Sequence, residues 1–201
     1  MYIPLHCISA NNRTSRHVKN GVLCIMIYKP ISVDAYGFTD ESQTVVRIYT
    51  TNGGMITAKR CPTDKTLYCT RDGHFLSLTK LGLREIKPNL AQAGTRKCTH
   101  TNGNGTHYPF LRQFGAKHCH FLVAGAWNGP RPDGYECDHI NGIVSDNRAE
   151  NLQWVTRQEN EKRAKLLRVL RSIGRDPRKM SRDELIQIFN KYTFTNPKNI
   201  D

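Results

Sequence analysis

The stretch Tyr135 to Asn160, YECDHINGIVSDNRAENLQWVTRQEN, constrains this chain more than any other. Thr156-Arg157-Gln158-Glu159 is a capping box: the Thr156 hydroxyl can satisfy the Glu159 amide while the Glu159 side chain reaches back. It opens a helix expected to run to about Ile173, with Gly174 as its C-terminal stop and Pro177 beyond. Upstream, Tyr135 to Ile140 reads as a strand and Asn141-Gly142 as a tight turn. A loop carrying Asp146, Asn147 and Arg148 follows, and Asn151 to Val155 reads as a second short strand. The unit is strand, loop, strand, helix. The cap places Asn160 on the first helical turn, where the helix N-terminus favours anionic ligands. A packed core has no need of an Asp-His pair followed by two spaced asparagines; a chemically active site does.

Charge narrows the partner. The chain has 201 residues and a formal net charge of +13, a one-sided excess that points to a polyanion, with nucleic acid foremost. A membrane surface is the rival, but no basic amphipathic helix with a broad apolar face stands out, so no membrane partner is expected. The apolar run Val22 to Tyr28 is too short to span a bilayer, and no signal peptide is read ahead of it. The seven cysteines (7, 24, 61, 69, 98, 119 and 137) are odd in number and scattered, which suits reduced thiols in a cytoplasmic protein.

The rest of the chain reads as α+β. Residues 1–20 are expected to be a loose arm, 21–115 a β-rich module, 116–175 the unit described above, and 176–201 a short helix and tail. Val22 to Tyr28 and Thr44 to Thr50 are strand candidates; Asn52-Gly53-Gly54 and Arg71-Asp72-Gly73 are hairpin turns. The two hairpins echo each other faintly, as consecutive hairpins often do by chance. Cys98 to His107 is a polar, Gly-rich loop, and His118 to Trp127 a short apolar helix. Ser181-Arg182-Asp183-Glu184 is a second capping box, opening a helix whose Leu185, Ile186, Phe189 and Tyr192 share a packed face.

Asp138-His139-Ile140-Asn141-Gly142, Asp146-Asn147-Arg148, Asn151-Leu152, Trp154-Val155-Thr156 and Asn160 resemble the HNH endonucleases, in particular the phage and intron-encoded H-N-N subgroup. The resemblance covers about residues 118 to 165 and implies a ββα-metal finger. More weakly, LYCTRDGHFLSLTKLGLREIKPNL followed by HFLVAGAW resembles the region ahead of the motif, a small antiparallel module that contacts DNA.

The resemblance implies a role for each matched residue. His139 is the general base that takes a proton from water, a task suited to an imidazole titrating near neutrality. Asp138 and Asn160 hold one divalent cation, Mg²⁺ or Mn²⁺, whose shell is completed by phosphate and water. With a single carboxylate, that site binds metal weakly without DNA. The Asn151 carbonyl holds the His139 ring in its productive tautomer. Arg148 contacts a phosphate by charge and position. The expected activity is a metal-dependent, homing-type cut in double-stranded DNA, leaving 5′-phosphate and 3′-hydroxyl ends. One site per chain makes a nick the default. No small-molecule substrate is expected.

Other readings stay open beside these. The fold could persist as a catalytically silent DNA-binding protein, or serve as a non-specific nuclease of a defence or toxin type. The basic run that includes Arg157, Lys162, Arg163, Lys165 and Arg168 is a solvated helix face in most proteins, but next to this motif it reads as a DNA-backbone contact. Arg71 and Asn52 sit on hairpins that could enter a groove, although packing explains them equally well. Trp154 reads as core beneath the site rather than a base-stacking platform. His118, His120, Cys98, His100 and Cys137 raise zinc, but with no CxxC pair a structural zinc is not expected. His120 reads as a supporting residue and His74 as a solvated turn neighbour.

Overall fold

The computed structural model describes residues 30–89 and 108–195. The N-terminal arm, the Val22 to Tyr28 run and the Cys98 to His107 loop lie outside the described residues. The fold is α+β, an antiparallel sheet followed by a strand-helix unit and C-terminal helices.

Six strands run as a meander: β1 (Val33–Phe38), β2 (Val45–Thr50), β3 (Met55–Arg60), β4 (Leu67–Thr70), β5 (Phe75–Thr79) and β6 (Gly82–Ile86), each antiparallel to the next. Side chains alternate across a strand, so in β2 Val46 and Ile48 are buried while Arg47 and Tyr49 face water. The sheet curls until β1 approaches β6, and Ile31 N–H donates to the Glu85 carboxylate at 3.0 Å. Inside the curl Val46, Ile48, Ala58, Tyr68, Leu76 and Leu83 form one core. The other face of β4 and β5 carries Leu67, Cys69 and Phe75 into a second core. Hence all four residues of β4 are buried. Both expected hairpin turns form, at Thr51–Gly54 and Arg71–His74. His74 is no solvated neighbour: its Nδ1 meets Glu85 Oε1 at 2.9 Å.

A small ribbon, β7 (Phe110–Leu111) with β8 (Lys117–His118), leads into α1 (Cys119–Trp127). This helix is apolar enough to be buried along most of its length. Cys119, Leu122, Val123 and Ala124 pack into the second core, and Trp127 Nε1 donates to the Cys69 carbonyl at 3.1 Å. That bond fastens α1 to the sheet.

Next, β9 (Tyr135–His139) pairs with β10 (Leu152–Thr156), with Leu152 opposite His139 and Gln153 opposite Asp138. Asn151 ends a 3-10 turn, Ala149–Asn151, instead of opening the strand. Then α2 (Arg157–Ser172) begins at the Thr156 capping box, with both reciprocal bonds present. The chain leaves this helix through Gly174 at φ +79°, a left-handed conformation that glycine adopts without strain. Finally, α3 (Arg182–Thr195) folds back so that Leu185 and Phe189 pack on Leu166, Leu167 and Leu170 of α2 and on Ile140. Each leucine so buried contributes about 1.5–3 kcal/mol of transfer free energy. The second capping box forms only in part. The Ser181 hydroxyl accepts from Glu184 N–H at 3.2 Å, while the Glu184 carboxylate meets Arg175 at 2.6 Å. None of these helices is long and apolar enough to cross a membrane.

Candidate active site

Strand β9 stops at the chemistry. Gly142 N–H donates to the His139 carbonyl at 2.8 Å, closing a turn just after the strand, and Ile140 N–H donates to the Asn151 carbonyl at 2.9 Å. The chain end so formed lets neighbouring side chains address one place from two directions. Asp138 and His139 are both buried, at 9% and 4% exposure.

His139 Nε2 lies 3.1 Å from Asn147 Oδ1. A carboxamide oxygen only accepts, so Nε2 carries the proton and Nδ1 is the basic nitrogen. Burial pulls the His139 pKa below its ordinary value, against the raising pull of the Asn147 bond and of Asp138 and Asp146. The ring is therefore neutral. His120 meets it edge-on at 5.2 Å between centroids, and Tyr108 stands at 6.0 Å. Burial drives the His120 pKa down to about 2, with His139 and His118 adding to the effect. Its Nδ1 is buried and has no hydrogen-bond partner.

The asparagine beside the His139 ring differs from the one the sequence suggested. Asn151 Nδ2 donates to Asn141 Oδ1 at 3.0 Å and to the Asp146 carbonyl at 2.8 Å, and its Oδ1 accepts Asn141 N–H at 3.1 Å. Its carboxamide is fully engaged in closing the loop, and Asn147 takes the place beside the imidazole.

That loop is braced from within and from outside. Burial alone would raise Asp146, but Arg148 grips both its oxygens at 2.9 and 2.8 Å and Asn141 Nδ2 adds a bond at 2.8 Å, so its pKa lies below the usual range. Arg148 also meets Glu150 at 2.9 Å. With two carboxylates on it, this guanidinium braces the loop while its side chain stays exposed. From outside, Ala149 N–H donates to the Arg71 carbonyl at 2.8 Å, at the β4–β5 turn. Gly73 in that turn has φ +85°, and a Cβ there would stand 2.9 Å from the Asn147 carbonyl oxygen. Only glycine fits both the conformation and the gap. The Arg71 side chain itself is exposed.

Two carboxylates on one face of β9 are each held by a carboxamide. Gln153, across the strand pair, donates to Asp138 Oδ2 at 2.9 Å. Asn160, on α2, donates from Nδ2 to Glu136 Oε2 at 2.6 Å. Burial raises the Asp138 pKa, opposed by the Gln153 bond and the Arg163 charge. A cleft of about 370 Å³ opens here, lined by Tyr108, Asp138, His139, Asn160, Arg168 and Arg171. Asp138 and Asn160 present hard oxygen donors to one space, a set that suits Mg²⁺ or Mn²⁺. No group of three or more His, Cys, Asp or Glu placed to hold a metal occurs among the described residues. A cation at Asp138 and Asn160 would thus complete its shell with phosphate and water.

The basic residues of α2 separate by face. Asn160, Ala164, Arg168 and Arg171 line the cleft at helical spacing. Arg171, which belongs to the basic run but was not singled out, thus joins Arg168 there. Lys162 and Arg163 instead line the groove between α2 and α3, where the Arg163 guanidinium sits 4.5 Å over the Phe189 ring with Nη1 buried and unpartnered. Arg157 pairs with Glu161 at 3.2 Å on the exposed side, and Lys165 is exposed. Trp154 is half-buried, packs on the second core, and donates from Nε1 to the Gly129 carbonyl at 3.0 Å.

Sequence reasoning singled out neither Asn147 nor Gln153 and Glu136 for these contacts. The last two carried a signal: Glu136 and Asp138 alternate onto one face, and Gln153 sits two residues beyond Asn151 on the facing strand.

Residues 117–162, from β8 through the first turns of α2, match the family model described as HNH endonuclease. The resemblance to HNH endonucleases read from the sequence holds over this stretch, which contains Asp138, His139, Asn151 and Asn160. No curated protein and no solved structure matches the chain.

Proposed function

We propose that this protein is a metal-dependent DNA endonuclease, of the H-N-N subgroup with homing-type cleavage, in which His139 activates the attacking water. The observation that carries the reading is the His139 ring, neutral and tautomer-set by Asn147, at a cleft shared with Asp138, Asn160 and Arg168. Water loses a proton to Nδ1 as its oxygen bonds to phosphorus; the bond from phosphorus to the 3′ oxygen breaks and that oxygen takes a proton from solvent water, leaving a 5′-phosphate and a 3′-hydroxyl. Asp138 and Asn160 would hold a divalent cation, which when bound stabilises negative charge on the phosphate and the departing oxygen. Arg168 and Arg171 hold the DNA backbone along α2, giving affinity without sequence information. One such site per chain produces a nick in duplex DNA.

The test is cleavage of supercoiled plasmid with Mg²⁺, Mn²⁺ or EDTA. Metal-dependent nicking should fall by a factor of about 10²–10⁴ in His139→Ala. Plasmid left intact by the wild type, while the protein still retards it on a gel, would instead identify a DNA-binding protein without turnover. Mapping the nicks separates site-specific from indiscriminate cutting.

A further inference from the structure

We infer that Glu136 is a positioning residue, which turns the Asn160 carboxamide so that its oxygen faces the cation site. The inference rests on the reading of Asp138 and Asn160 as metal ligands.

An asparagine binds a cation through its oxygen alone, yet its two ends are nearly the same size, and a free carboxamide rotates between them. Something must choose. Glu136 Oε2 lies 2.6 Å from Asn160 Nδ2 and, as a carboxylate, only accepts, so the amide nitrogen is drawn to it and Oδ1 is turned away. The backbone makes this meeting inevitable. Glu136 and Asp138 are two apart on β9 and share a face, which α2 covers starting at the Thr156 cap. Asn160 stands four residues after that cap, half-buried against the strand. The arrangement repeats at the other proposed ligand, where Gln153 donates to Asp138 Oδ2. Each ligand has one atom tied by a neighbour of the opposite hydrogen-bonding kind. Partners of this sort set both the orientation of a ligand and its affinity.

The experiment is a Mn²⁺ titration of the full chain, followed by electron paramagnetic resonance of free Mn²⁺, with thermal unfolding of each variant alongside. Glu136→Ala should weaken Mn²⁺ binding about tenfold, the lower end of what such supporting residues contribute. Glu136→Gln should retain most of the affinity, because its amide oxygen still accepts from Asn160 Nδ2. In an Asn160→Ala background, Glu136→Ala should weaken binding no further, since Glu136 acts through Asn160. Wild-type affinity in a folded Glu136→Ala protein overturns the inference, and so do independent, multiplying losses in the double variant, which would make Glu136 a ligand in its own right. If Asn160→Ala itself leaves Mn²⁺ binding unchanged, it is the underlying assignment of the metal site that fails.

Discussion

Asn147 stands beside the imidazole where the sequence led us to expect Asn151, and Asn151 closes the loop instead. Asn147 bonds the imidazole, and that bond raises the His139 pKa against the pull of burial. Removing it in Asn147→Ala should move the acid limb of the pH–rate profile to lower pH and reduce kcat about 10–100-fold. Asn151→Ala should instead cost about 2–3 kcal/mol in urea unfolding, because it leaves buried loop groups unpaired. A shifted acid limb in Asn151→Ala and none in Asn147→Ala would return the base-orienting role to Asn151. His120 gives a second prediction at this scale. Its folded pKa is lowered to about 2, so the unfolded chain binds the proton first, and stability falls as pH drops below about 6.5. Between pH 7.5 and 5 this amounts to about 2 kcal/mol, and His120→Gln should lose that much less over the same range.

The elements announce themselves through local rules, whereas what their faces meet does not. The Thr156 box and Gly174 bracket α2 in the sequence, and both act within a few residues of the helix end. Which arginines of α2 face the cleft depends on where α3 returns, and no local signal says that Phe189 will lie under Arg163. In the same way Asn147 is chosen over Asn151 by a hairpin some seventy residues upstream, through contacts that no spacing within the motif encodes. What was legible was the motif, its strands and its cap; what was hidden was every contact made across the fold. The sorting of α2 yields a measurable split. Arg168→Ala and Arg171→Ala should each lower the slope of log affinity against log salt by about 1 in a plasmid-retardation assay. Arg163→Ala should reduce thermal stability and leave that slope nearly unchanged.

At the scale of the whole molecule, the curled sheet and the finger form one structure through α1 and the β4–β5 turn. Trp127 ties the helix to Cys69, and Arg71 and Gly73 seat the loop that carries Asn147. Gly73→Ala should test this seat from the sheet side. A left-handed alanine pressed against the Asn147 carbonyl should cost about 1–3 kcal/mol in unfolding, and the displaced Asn147 should slow cleavage even where the protein stays folded. A variant that is destabilised yet cuts at the wild-type rate would uncouple the turn from the base.

The Gly73 seat also bears on how a nuclease of the proposed kind can be recombined. The residues that match the family begin at 117, but the surface on which their active loop rests belongs to a turn more than forty positions earlier. A cassette cut at the family boundary and grafted onto a DNA-binding scaffold would carry Asp138, His139, Asn147 and Asn160 and leave behind the platform on which the Asn147 loop rests. Transplants should keep their activity only when the donor segment starts upstream of β4, or when the host supplies a glycine turn of the same shape.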